Sequence, residues 1–150
     1  MHGIRAKGGG VRVGLVRHER QLLRELCEQL AGEIAGEGED EGLSRLFPSA
    51  YDDDEAAAEY DRLVGPELAE GKVAALRRTA ETASEAQLDL PTAETWLRAL
   101  NDLRLVLGTR LGVTEDTFAG GLLAQLRPPL AIYGWLTWLE GELIEALASA

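Results

Sequence analysis

The chain has 150 residues, is 45% hydrophobic and 27% charged, and carries a formal net charge of −11. That length buries a core without metal or disulfide support, and the charged fraction excludes wholesale disorder. No apolar run nears the roughly 20 residues of a membrane span. The opening MHGIRAKGGG has no apolar stretch to serve as a secretory signal, and the single cysteine, Cys27, permits no intramolecular disulfide, so one domain over 1–150 in the cytoplasm is expected.

The first 18 residues form a basic segment. In 4–16, IRAK and VRVGLV flank Gly8, Gly9 and Gly10, and alternating apolar positions around a glycine cluster predict a short hairpin or strand pair. From about Glu19 the period changes: Leu23, Leu26, Cys27, Leu30 and Ile34 recur at helical spacing, and Gly36 and Gly38 end that helix. Residues 36–53 read as an acidic connector whose apolar foot is Leu46, Phe47 and Tyr51. Asp53 or Asp54 then caps a short helix bearing Ala56, Tyr60, Leu63 and Val64. Pro66 suits the first turn of another, with Ala69, Val73, Leu76, Ala80 and Ala83 as a small-residue stripe.

Two long helices carry most of the bulk. The first runs from about Thr92 to Leu111, capped by Thr92 or Asp89, with Trp96, Leu100, Leu103, Leu107 and Leu111 on one face and Gly112 as its stop. A short turn capped by Thr114 follows, weakened by Gly120 and Gly121. The last helix starts near Pro128–Pro129 with Ile132, Leu136, Leu139, Leu143 and Leu147 as its stripe. The fold class is therefore mainly α: a compact bundle of about five helices with a short N-terminal β-hairpin.

Charge is unevenly spread. Residues 1–24 sum to +5 and residues 33–61 to −10. Such an acidic belt repels a phosphate backbone, although Arg5, Lys7 and Arg12 could contact nucleic acid locally.

Helical wheels place Arg104 near the apolar stripe of its helix and Glu140 near that of the last helix. A buried guanidinium requires an anionic partner. Pairing Arg104 with Glu140, with Asn101 completing the network, satisfies that need and fixes helix register; the competing reading is a polar pocket for an anionic ligand. Trp135, Trp138 and Leu105 project away from their stripes and mark a candidate interface for a protein partner or a second copy of the chain.

Catalytic, cofactor and metal motifs are missing from the sequence. His2 and His18 lack partners at metal-ligand spacing, and no nucleophile elbow, P-loop or dinucleotide fingerprint occurs. The run Asp52–Glu55 lacks the alternation of a calcium loop and reads as a solvated helix start. Cys27 sits on an apolar face as an inert thiol; exposed, it would be a possible redox point.

The stretch WLRALNDLRLVLGTRLGVTED, from Trp96 to Asp116, closely resembles the signature of an actinobacterial family of unknown function. RLFPSAY at 45–51, DDDEAAAEYDRL from Asp52 and the C-terminal YGWLTWLEGELIEAL match in the same order, so the resemblance spans most of the chain. Its most distinctive parts are Asn101-Asp102-Leu103-Arg104 and Gly108-Thr109-Arg110-Leu111-Gly112. Members of that family have been described as actinomycete oxidative-stress regulators, with genes commonly beside that of a Clp protease adaptor. The resemblance implies a cytoplasmic, transcription-associated role that depends in part on paired cysteines. Cys27 has no partner in the chain, so an intramolecular switch does not carry over. The expectation is a non-enzymatic regulatory or interaction protein. An adaptor-like module in Clp-type proteolysis and a small-anion binder or enzyme using Arg104, Glu140 and Asn101 are the alternatives.

Overall fold

In the computed structural model the elements follow the order β1 (Ile4–Lys7), β2 (Gly10–Val13), α1 (Arg17–Ala35), α2 (Asp54–Thr82), β3 (Gln87–Asp89), α3 (Leu90–Leu111) and α4 (Pro128–Ser149). The structure describes residues 3–36, 43, 46, 54–112 and 128–150, with the backbone alone for 54–65 and 128. Phe47, Tyr51, the acidic run from Asp52, the side chains of Ala56, Tyr60, Leu63 and Val64, and the turn at Thr114 with Gly120 and Gly121 lie outside what is described. Leu43 and Leu46 are buried in the core.

The hairpin forms because Gly8 and Gly9 both take positive φ, +56° and +82°. That is the two-residue turn whose twist matches the strands it joins. Ile4 pairs with Val13 and Arg5 with Arg12, so Ile4, Val11 and Val13 are buried while Arg5, Lys7 and Arg12 face outward. A third strand, absent from the sequence reading, pairs β3 with the other edge of β2, setting Val11 opposite Leu88. Gly10 permits this, because a Cβ there would collide with the Leu88 carbonyl oxygen.

Among the described residues there are four helices rather than five. α2 runs unbroken through Pro66, which lies inside the helix rather than at a start. Proline deletes one helical hydrogen bond, but the remainder of α2 is held by its packing on α1, with Leu76, Thr79 and Ala80 buried. α3 begins where Asp89, not Thr92, accepts a bond from the Thr92 amide at 2.8 Å. It stops at Gly112, which adopts the left-handed conformation at φ +67°.

One apolar cluster joins all of these elements. Leu23 and Cys27 of α1, Leu76 of α2, Trp96 and Leu100 of α3, and Leu136, Leu139 and Leu143 of α4 are fully buried within it. The inner face of the sheet closes one end against α3 and α4. No described helix is long and apolar enough to cross a membrane.

Candidate functional site

Packing α3 against α4 brings Arg104 and Glu140 together. A terminal guanidinium nitrogen of Arg104 donates to Glu140 Oε2 at 2.9 Å, and its Nε donates to Thr137 Oγ1 at 3.1 Å. The guanidinium carbon lies 5.6 Å from the centre of the Tyr133 ring, within cation–π range. Burial pulls the Arg104 guanidinium toward neutrality, but the hydrogen bond to Glu140 and the charge of the Glu140 carboxylate outweigh it and hold the group above its ordinary value. Asn101 does not complete this network. It is exposed on the outer side of α3, and Thr137 and Tyr133, both from α4, take the place expected for it. Tyr133 can reach because Gly108 of α3 is bare: a Cβ there would stand 3.0 Å from Tyr133 Cε2.

Three further polar ties cross helix seams. Trp135 of α4 donates its indole N–H to Glu19 Oε2 at 2.8 Å, while Glu19 Oε1 accepts from the Val16 amide at 3.0 Å. Lys72 of α2 reaches both carboxylate oxygens of Asp102 on α3 at 3.2 Å. Asp102 is buried, which raises its pKa despite Lys72 and Arg98 pulling it down. Arg110 of α3 meets Glu33 of α1 at 2.7 Å. No described buried side-chain nitrogen or oxygen lacks a hydrogen-bond partner.

Arg20 is the residue the sequence reading missed altogether, since it looked like one more charge of a basic segment. It donates to four main-chain carbonyls: Nε to Leu15 at 2.9 Å, one terminal nitrogen to Ala83 at 3.0 Å and Glu85 at 2.7 Å, and the other to Val13 at 2.8 Å. A single planar cation thus fastens the end of β2, the entry of α1 and the turn from α2 into β3. The only advance signal was its position at the strand-to-helix junction.

The candidate interface residues do not converge. Trp135 is half-buried and bonded to Glu19, because its flank of α4 lies over the start of α1. Trp138 is 36% exposed and Leu105 37%. Trp138 and Glu140 lie about 160° apart around α4, so Trp138 is on the side facing away from Leu105 and its helix. Cys27 is fully buried, and burial, with Glu28 beside it, pushes its thiol up to about 12. Almost no thiolate exists at neutral pH, which removes the chemistry a redox point would need.

Arg5, Lys7 and Arg12 share the outer face of the hairpin and are exposed. Arg5 and Arg12 also border a groove of about 530 Å³ whose other walls include Gly3, Gly14 and Ala86. Among the described residues, no group of histidine, cysteine, aspartate or glutamate is placed to hold a metal ion. Within the helical body, Arg104 with Glu140, Lys72 with Asp102 and Arg110 with Glu33 pair across seams; on the hairpin, Arg5, Lys7 and Arg12 face outward. No curated protein and no solved structure matches the chain. A profile described as "Domain of unknown function (DUF2017)" matches residues 1–147, and the chain therefore belongs to the DUF2017 family.

Proposed function

We propose that this DUF2017 protein is a non-enzymatic regulatory or interaction protein that works by surface recognition. One observation carries the reading. The polar side chains that reach inward, Arg104, Glu140, Glu19, Asp102 and Arg20, are each committed to structural bonds, and the exposed outer face of the hairpin gathers three cations, Arg5, Lys7 and Arg12. A transcription-associated role tied to oxidative stress follows from the resemblance to actinomycete regulators, with the hairpin as the nucleic-acid contact. Burial of Cys27 means that any redox signal enters through a partner rather than through this thiol. The small-anion or catalytic use of Arg104, Glu140 and Asn101 loses support, since the first two neutralise each other and the third is turned outward.

The adaptor reading, a module in Clp-type proteolysis, draws on a different surface, the half-exposed Trp138 on α4. Affinity capture from the native host, with and without peroxide, separates the two. Salt-sensitive retention of nucleic acid that requires Arg5, Lys7 and Arg12 supports the transcription-associated role. Capture of a protease adaptor that survives neutralising those residues supports the adaptor. A chain that elutes alone under both conditions contradicts the proposal.

A further inference from the structure

We propose that the groove along α2 is a contact between two copies of this chain, with the two α2 helices antiparallel about a two-fold axis that passes between Val73 and Ala74. The groove encloses about 780 Å³, between the last residues of α1, Ile34 and Ala35, and one face of α2. At 100° per residue, Pro66, Glu70, Val73, Ala74, Arg77 and Glu81 all fall within about 50° of one line down that helix. Val73 is half-buried against the core and Ala74 is exposed, so the middle of the face is small and apolar.

Charge identifies the occupant. Glu70 and Arg77 are both exposed, and neither has a hydrogen-bond or ion-pair partner among the described residues. They stand seven residues apart, about 10 Å along the axis, at equal distances either side of the Val73–Ala74 midpoint. A two-fold contact is self-complementary: if one residue meets a second, the second meets the first. An axis through that midpoint sets Glu70 of each copy opposite Arg77 of the other, and Val73 opposite Ala74. The small central side chains let the helices approach to about 8 Å, the near end of the usual interaxial range, so that both carboxylate–guanidinium pairs can close.

The rest of this face is also balanced. Glu70 and Glu81 match Arg77 and Arg78, and the adjoining groove across α1 and α2 adds Arg24 and Glu28. The net charge of −11 therefore opposes pairing only from farther away, where distances beyond a Debye length, about 8 Å at physiological salt, are largely screened. The outward side of α4, where Ile144 is exposed, offers a second copy no such match. α4 carries Glu140, Glu142 and Glu145 and no lysine or arginine, so it repels its own image.

The test exchanges charges on the intact chain. Sedimentation equilibrium in about 0.15 M salt shows a monomer–dimer equilibrium for the wild type. Glu70→Arg sets arginine against arginine at both ends of the contact, and Arg77→Glu sets glutamate against glutamate. Each therefore weakens self-association at least tenfold, while the helical circular dichroism stays that of wild type because both positions are exposed. An equimolar mixture of the two variants regains both ion pairs and forms a heterodimer about as tight as the wild-type dimer, a recovery that loss of folding cannot mimic. Neutralising Arg5, Lys7 and Arg12 leaves the dimer intact, so this contact and the hairpin reading fail separately. A chain that stays monomeric at about 200 μM overturns the proposal. So does a dimer that both exchanges leave unchanged, or a mixture of the two folded variants that associates no better than each alone.

Discussion

Replacing Arg20 tests whether one cation joins the sheet to the helices. The guanidinium donates four hydrogen bonds to carbonyls of Leu15, Ala83, Glu85 and Val13, at 2.7–3.0 Å. Arg20→Met keeps most of the aliphatic stem but orphans all four acceptors. Hydrogen bonds from a charged donor contribute about 1.5–3 kcal/mol each. The Glu85 bond is exposed and its carbonyl can rebind water, while the other three are part-buried and share one side chain, so their losses do not add. Taken together, about 2–4 kcal/mol is expected for Arg20→Met. Arg20→Lys recovers at most half, because a compact ammonium cannot reach acceptors arrayed around a planar fork. Urea unfolding monitored by tryptophan fluorescence measures the loss. Amide exchange at Val13 and Glu85, whose N–H groups bond Ala86 O and Thr82 O beside the clamp, reports whether the loosening is local. A change under 0.5 kcal/mol in Arg20→Met, or wild-type stability in Arg20→Lys, refutes the reasoning.

The buried carboxylate of Asp102 gives a pH signature. Its folded-state pKa is raised by burial, so the stability tied to its protonated form is fully present below the ordinary aspartate value and is lost as pH rises through the raised one. Asp102→Asn, compared with wild type by urea unfolding from pH 3 to pH 7, therefore gains on the wild type as pH increases; a constant difference contradicts this. Gly108→Ala forces the Tyr133 ring aside and costs about 1–2 kcal/mol, as over-packing does, whereas Gly134→Ala, with open space around its position, does not destabilise. Cys27 reacts with a thiol reagent only at the rate of global unfolding, and labelling of the native protein within minutes would show that its burial is not maintained.

Much of this fold was legible because the signals were long or chemically sharp. The stripe from Trp96 to Leu111 spans four turns, and adjacent glycines between alternating apolar residues leave few options besides a hairpin. The meeting of Arg104 and Glu140 followed from the cost of an unpaired interior charge. β3 escaped notice because Gln87-Leu88-Asp89 offers one buried residue in three, too short a pattern to show alternation. Pro66 misled because a proline at a helix start is commonplace, and only tertiary packing of α2 on α1 reveals that the helix continues through it. Ties such as Lys72 to Asp102 and Arg110 to Glu33 depend on which helices are neighbours, which periodicity does not encode. Asn101 and Arg104 are three residues apart and so only about 60° apart around α3, which is why the sequence groups them, yet Asn101 lies just far enough round to be exposed while Arg104 reaches α4.

A double-mutant cycle at the α3–α4 seam bears most directly on the claim that charged groups inside this protein serve its architecture. The Arg104 side chain is 27% exposed and that of Glu140 10%, so Glu140 suffers more when its partner is lost. Removing one member of a fully buried pair costs about 3–5 kcal/mol, and partial exposure here reduces this to about 2–3 for Arg104→Leu. Glu140→Leu costs less, because the freed guanidinium can turn to water, and the double replacement is expected within about 1 kcal/mol of wild type, since an apolar pair commonly substitutes for an ionic one. A coupling energy above about 1 kcal/mol from urea unfolding of the four proteins is the predicted result. Additive losses, or an Arg104→Leu variant as stable as wild type, would contradict the account.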